Sequence, residues 1–224
     1  MPMRSGVLFD VDGTLVDTTY LHTVAWWEAL RQYGADIPMA KIHRAIGMGS
    51  DKLLDHLLGS ARNRDQDQEI STAHDVLYGA WWERLRPLPA AAELLRAVAE
   101  RGLAVVLASS AKEPELKQLR RVVGVDDVIA AATSSSDAEQ SKPAPDILQA
   151  ALEQSGVDPR AAVFVGDSVW DVRAAAGLDI PCIGLACGGT SAGELSEAGA
   201  VAVYDDPAAL LAALDDSAIG ALHK

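Results

Sequence analysis

Cysteine is nearly absent from this chain: Cys182 and Cys187 are the whole supply, and they form no C-x-x-C pair. Two thiols in 224 residues cannot build a disulfide framework, so they are expected as small buried residues in a reducing compartment. Positive charge is also scarce. Lys and Arg number 19 against 32 Asp and Glu, for a formal net charge of −13. That balance argues against a nucleic-acid binder, which needs a clustered basic surface. It also requires any anionic substrate to meet local cations. Long apolar runs are missing as well. Before Asp10 the N-terminus offers only Val7, Leu8 and Phe9, too few for a signal-peptide core, and no run approaches the length that spans a bilayer. The expectation is a cytoplasmic protein, a monomer or homodimer, with neither nucleic acid nor membrane as partner. Internal repeats and low-complexity linkers are lacking too; residues 62–69 (RNRDQDQE) read as a solvated loop or a helix start.

What is present is a globular composition, 49% apolar and 23% charged, enough for a sizeable core. The length suits one large domain or a core carrying a smaller insertion. Short β-like runs fall at 6–9, 104–108, 127–131, 162–165, 181–185 and 200–204. Helical patterns lie between the later ones, at 90–101, 113–123, 144–154 and 169–176, and Gly102, Gly156 and Gly177 stand at the ends of three of them. Near-continuous apolar strands alternating with helices point to a parallel sheet covered on both faces. Residues 19–84 break the alternation with helical patterns at 20–33, 50–58 and 70–85 and no convincing strand, until Pro87-Leu88-Pro89 re-enters it as a stiff connector. The expected architecture is therefore α/β: a Rossmann-like doubly wound parallel sheet core (1–17 and 86–224) with an inserted helical cap (18–85). In open parallel sheets the ligand site lies beyond the C-terminal strand ends, so an insertion leaving there would cover it.

Those ends carry the chemistry. Residues 8–18, LFDVDGTLVDT, put Asp10 and Asp12 after the first strand, although Asp and Gly are also ordinary turn residues. The second strand ends in Ser109-Ser110, a later one in Gly166-Asp167-Ser168 with Asp171 four residues beyond Asp167, and Ser141-Lys142-Pro143 stands before a helix. Taken singly, Ser109 and Ser110 could be a helix cap, Asp167 another, and Lys142 a surface lysine. The ordered set is far more specific than any member.

That set resembles the haloacid dehalogenase-like superfamily, in its branch of helical-capped phosphatases, over nearly the whole chain. Its motifs match Asp10–x–Asp12–Gly13–Thr14, Ser109, Lys142, and Gly166-Asp167 through Asp171. The resemblance implies Asp10 as a nucleophile that forms an aspartyl-phosphate and Asp12 as general acid and then base. It implies Ser109, the Ser110 backbone N–H and Lys142 as the phosphate-binding groups. It implies Mg2+ held by Asp10, the Asp12 backbone carbonyl and Asp167, an all-oxygen set suited to that ion, with Asp171 behind them orienting water or Lys142. Asp17 reads as the N-cap of the first cap helix. His22, His43, Arg44 and Lys52 are the polar cap candidates for substrate specificity, 47–49 (GMG) is a loop edge, and the pairs Trp26-Trp27 and Trp81-Trp82 are cap core with one member of each free to face the cleft. Cys187-Gly188-Gly189 resembles a stretch of phosphoglycolate-phosphatase-like members, though it is also plain turn chemistry.

The expected function is a Mg2+-dependent phosphomonoesterase acting on a small phosphorylated metabolite, phosphoglycolate-like or a sugar phosphate. A sugar-phosphate mutase of the same branch would carry Arg where Ser50 stands. Haloacid dehalogenases lack the second Asp, here Asp12. A phosphonoacetaldehyde hydrolase would need a Schiff-base lysine, for which Lys52 is the cap candidate. A non-catalytic metal-binding regulatory protein, which could keep the pocket without turnover, and a receiver-like domain, which does not account for the helical insertion, complete the alternatives.

Overall fold

The computed structural model describes residues 4–59 and 61–222. Its centre is a six-stranded, all-parallel sheet: β1 (Arg4–Phe9), β2 (Ala104–Ala108), β3 (Ile129–Thr133), β4 (Val157–Gly166), β5 (Cys182–Leu185) and β6 (Ala202–Tyr204), in the spatial order β3-β2-β1-β4-β5-β6. This is the Rossmann order, whose switch point falls at β1, between β2 and β4. Alternation along β1 accounts for the two covered faces: Val7 and Phe9 belong to one hydrophobic cluster and Leu8 to the other, all fully buried.

Four helices, α1 (Thr19–Gln32), α2 (Met39–His43), α3 (Ser50–Leu58) and α4 (Asp67–Gly79), form the inserted cap around a hydrophobic cluster of their own that includes Trp26, Leu30, Leu53 and Ile70. Two chain segments join cap to sheet side by side. Val16 bridges Pro87 antiparallel, Asp17 N–H donates to Arg86 O at 3.1 Å and Leu88 N–H to Leu15 O at 2.9 Å. After them come α5 (Ala91–Glu100) and α6 (Glu113–Val123), whose apolar residues join the Phe9 cluster, then α7 (Asp146–Ser155) and α8 (Val169–Ala176), which pack with Leu8. α9 (Ala192–Ala198), α10 (Pro207–Ala212) and α11 (Ala218–Ala221) are short closing helices without an earlier sequence signal.

Several boundaries differ from the sequence pattern for identifiable reasons. β3 starts at Ile129 because Asp126–Val128 form a 3-10 turn, its carboxylates paired in solvent with Arg120 and Arg96. α7 starts at Asp146, since Pro145 disfavours a helical Ala144. β4 begins early, at Val157, with a register shift opposite Arg4–Gly6 that accommodates Pro159, which has no N–H to give. α4 ends at Gly79, a weak helix former, and resumes only as a 3-10 turn at Trp82–Arg84. Asp17 does not cap α1. Thr18 holds that position, and its hydroxyl is used elsewhere, on Asp12.

Candidate active site

The strand ends at the switch point converge on one pocket. The β-ladder runs one bond past the strands: Asp10 N–H donates to Val165 O at 2.9 Å and Ser109 N–H to Thr133 O at 3.2 Å. The first residue beyond β1 and β2 is thus held by the rigid sheet. After Asp10 the chain turns sharply, Leu15 and Val16 both donating to Val11 O at 2.9 and 3.0 Å, with Gly13 at φ +78°. A Cβ on Gly13 would meet Thr19 Oγ1 at 2.4 Å and Asp167 Oδ2 at 2.6 Å, so both conformation and space demand glycine. The turn delivers Thr14 between two carboxylates, its Oγ1 3.2 Å from Asp10 Oδ2 and 3.1 Å from Asp167 Oδ1.

Lys142 enters from the turn before α7 and is completely buried, its Nζ 2.5 Å from Asp10 Oδ1 and 2.8 Å from Asp171 Oδ1. Burial alone would lower its pKa, but Asp10 and Asp171 outweigh that and raise it, so it stays an ammonium. Asp171 also receives the Ser168 N–H at 3.0 Å, which ties the capping of α8 to the placement of Lys142. Asp10, Asp167 and Asp171 bring oxygens within 4.8 Å of one another. Burial, eased by Lys142 and aggravated by Asp171 and Asp12, pushes Asp10 up to about 7; burial, with Asp171 and Asp10 beside it, also raises Asp167 well above its ordinary range.

Asp12 behaves differently from Asp10. Its Oδ1 turns toward the cap, accepting from Thr18 Oγ1 at 2.8 Å and lying 3.2 Å from His22 Nε2. Burial acts to raise its pKa, yet the bonds from His22 and Thr18 prevail and hold it below the usual range. Ser109 is fully buried, and its Oγ accepts from Ala111 N–H at 3.0 Å, which leaves the hydroxyl proton available to a ligand. Ser110 Oγ is buried without a hydrogen-bond partner among the described residues, and Ser110 borders the cleft.

That cleft, about 370 Å³ between cap and sheet, contains Asp10, Asp12, Ser110, His22 and Trp26 on its walls, with 47–49 (GMG) at its edge. Of the four polar cap residues the sequence offers for specificity, His22, His43, Arg44 and Lys52, His22 is the one on this wall. His43 and Arg44 border a separate cavity of about 340 Å³ with Trp170, where Arg44 pairs with Glu194 and His43 Nε2 lies 3.1 Å from Gly188 O. Lys52 Nζ is exposed and donates to Gln140 Oε1 at 3.2 Å. Of the tryptophans, Trp26 faces the cleft, stacked on His74 with ring centroids 4.1 Å apart, while Trp82 packs against the sheet cluster. Sequence reading missed Ser71, His74 and Asp75 on α4 and Lys112 and Glu115 at the start of α6, all on the cleft wall. His74 and Asp75 lie one helical turn from Tyr78, in a helix whose cleft-facing side carries no motif. Lys112 and Glu115 were within reach, since they directly follow the Ser109 strand end.

Known proteins with this arrangement give the family. A family model for hydrolases, haloacid dehalogenase-like hydrolase, matches residues 5–179. This chain belongs to the haloacid dehalogenase-like hydrolase family. A phosphoglycolate phosphatase of Rhodospirillum rubrum is 31% identical over 222 residues, covering 93% of this chain and 90% of that protein. The crystal structure of a hydrolase from Pseudomonas syringae matches with a TM-score of 0.90 at 32% identity, over 95% of this chain and 99% of that one. β-Phosphoglucomutase from Clostridium difficile matches at a TM-score of 0.79 and 20% identity, over 92% of each chain, a likeness of fold alone.

In this haloacid dehalogenase-like hydrolase the pocket is suited to a divalent cation. Three buried carboxylates, Asp10, Asp167 and Asp171, lie together, and among the described residues one buried ammonium, Lys142, pairs with two of them, Asp10 and Asp171; uncompensated buried charge is costly. Gly188 leaves room for the Asp167 carboxylate, since a Cβ there would stand 1.6 Å from Asp167 Oδ2. Among the described residues, no helix is long and apolar enough to cross a membrane.

The cap side of the cleft carries a pH liability. Burial pushes His74 down to about 4, with the Asp75 bond opposing and His22 reinforcing. The unfolded chain takes up this proton near pH 6.5 and the folded one only near 4, so the stability contribution is complete above 6.5 and lost as pH falls to 4. The expected loss is roughly 3 kcal/mol. Comparing thermal midpoints of wild type and His74→Asn from pH 7.5 to 4 tests this: the wild type should fall more steeply, and parallel curves would refute it.

Proposed function

We propose that this hydrolase is a Mg2+-dependent phosphomonoesterase acting on a small phosphorylated metabolite, phosphoglycolate-like or a sugar phosphate, through an aspartyl-phosphate. The observation that carries this reading is the division of labour between two carboxylates two residues apart. Asp10 faces Lys142, Thr14 and Asp167 in the sheet pocket, whereas Asp12 faces Thr18 and His22 on the cap side. A nucleophile must lie beside the groups that neutralise a phosphoryl dianion, and a proton carrier must lie toward the leaving group.

In this reading a phosphate sits over Asp10 Oδ atoms, met by the Ser109 hydroxyl, the Ser110 N–H and the Lys142 ammonium. Asp10 attacks phosphorus and the ester oxygen departs with a proton passed through Asp12 from His22 Nε2, where the bond to Asp12 holds that proton against the effect of burial. Asp12 then withdraws a proton from the water that opens the aspartyl-phosphate, returning Asp10. Bound Mg2+, held by Asp10, Asp167 and the Asp12 carbonyl, would supply electrostatic neutralisation of nucleophile and phosphate. The cap, residues 18–85, would serve as the lid that excludes water and bears the specificity groups, pivoting on the paired segments at 15–17 and 86–88. Ser50 on the cleft wall provides no cation for a second phosphate, which favours hydrolysis over phosphosugar mutation.

The direct test is phosphate release from p-nitrophenyl phosphate and a metabolite panel with and without Mg2+. Metal-dependent release is expected; none on any substrate would end this reading. Gly188→Ala should push the Asp167 carboxylate aside and raise the Mg2+ concentration for half-maximal activity by roughly 10–100-fold. An unchanged Mg2+ titration would refute that role for the Gly188 cradle.

A further inference from the structure

A second group of metal-ligating atoms lies on the other wall of the cleft. Asp12, His22 and Glu115 bring one donor atom each within 4.8 Å of one another, from the loop after β1, the first turn of α1 and the first turn of α6 respectively. His22 Nε2 lies 3.2 Å from Asp12 Oδ1 and 3.3 Å from Glu115 Oε1. Both separations suit neighbouring ligands of one ion bound at about 2.0–2.1 Å. The set differs in kind from the all-oxygen pocket of Asp10 and Asp167, because it contains an imidazole.

Two observations point to a ligand there. Glu115 Oε1 is buried and accepts no hydrogen bond among the described residues, although it faces His22. The second is the support behind His22. Its Nδ1 lies 3.1 Å from His74 Nε2, and His74 Nδ1 lies 3.3 Å from Asp75 Oδ1, which in turn pairs with Lys112. The carboxylate at the far end orients this chain. His74 Nδ1–H donates to Asp75, so His74 Nε2 accepts from His22 Nδ1–H, and His22 Nε2 is directed at the two carboxylate oxygens. Two carboxylate oxygens facing one ring nitrogen need a cation between them, a proton or a metal. Metal-ligating histidines characteristically donate their other N–H to such a carboxylate-backed partner.

We propose that Asp12, His22 and Glu115 form a second, regulatory site for a borderline divalent transition metal of the Zn2+ class, separate from the Mg2+ pocket. Imidazole with carboxylates suits Zn2+ or Co2+, whereas Mg2+ prefers oxygen alone. The ion replaces the proton at His22 Nε2 and leaves its remaining coordination open to the cleft. Two consequences follow from where the ligands sit. The metal joins cap to core, since His22 is on α1 and Glu115 on α6. It also occupies the carboxylate of Asp12, so it inhibits turnover; this second consequence rests on the phosphatase reading, while binding itself does not.

The experiment titrates Co2+ into the full protein held in excess Mg2+, following the visible band of low-coordinate Co2+, with Zn2+ equilibrium dialysis in parallel. One ion per chain beyond Mg2+ is expected, giving a visible band that Zn2+ abolishes. The affinity should fall at least about tenfold in His22→Asn and in Glu115→Gln and should survive in Asp167→Asn. Absence of the extra ion, an affinity unchanged in both variants, or loss of the band in Asp167→Asn would each overturn the site. The two variants lie on different elements, and circular dichroism identifies one that fails to fold, leaving the other to decide. In an assay with p-nitrophenyl phosphate, Zn2+ should inhibit wild type at concentrations about tenfold below those needed for Glu115→Gln. If no Mg2+-dependent turnover exists at all, the phosphatase reading falls while the Co2+ band still stands or fails by itself.

Discussion

Asp10→Asn is expected to lower kcat by roughly four orders of magnitude or more while the protein stays folded. The amide can still accept from Lys142 but cannot form an acyl phosphate, and its neutrality removes one of the three carboxylates that burial forces together. Lys142 also keeps Asp171 at 2.8 Å, so the pocket is not left with an unpaired ammonium. Phosphate release and a thermal melt on the same preparation check both halves. Retained turnover removes Asp10 as nucleophile. Asp12→Ala offers the contrast: turnover slows by roughly 10²–10⁴-fold, but Mg2+ binding persists, because the ligand expected from Asp12 is its backbone oxygen.

The second large effect belongs to Lys142→Met. Lys142 is wholly buried and pairs with Asp10 and Asp171, two of the three clustered carboxylates. Removing one partner from a buried pair costs about 3–5 kcal/mol, because the remaining charge has no solvent to meet it. For a chain this size that corresponds to a fall in Tm of roughly 6–20 °C. Activity should drop by about 10²–10³-fold as well, the usual loss for a donor aimed at a reacting oxyanion. Excess Mg2+ should recover part of the lost Tm, since a divalent cation restores charge to the same carboxylates, but little of the activity. Thermal scans with and without Mg2+ read this directly, and a Tm equal to wild type would refute the central place of Lys142 in the pocket.

The chain's local chemistry already contained the fold class and the identity of the sheet-side groups. Apolar runs such as 104–108, ending in hydroxyl or carboxylate residues, announce buried parallel strands. A strand end is where a parallel sheet concentrates its ligand chemistry, so Asp10, Ser109 and Asp167 stood out as candidates by position, and the family resemblance supplied their expected roles. Lys142 was legible only as a member of that set, because a lone Lys-Pro pair looks like surface.

Only the tertiary structure decided which way the side chains face. Asp10 and Asp12 have the same side chain, yet one meets Lys142 and the other Thr18 and His22, through a turn that requires Gly13 at φ +78°. The cleft wall was likewise decided by packing. Apolar periodicity marks α4 as a helix but does not say that Ser71, His74 and Asp75 oppose Lys112 and Glu115 across the cap–core gap, nor that His43 and Arg44 turn to a different cavity. A motif records residues close along the chain or strung on successive strand ends, and a sheet repeats that geometry in every member. The cap's contacts arise from helices packing across a long sequence separation, and no local pattern encodes that distance.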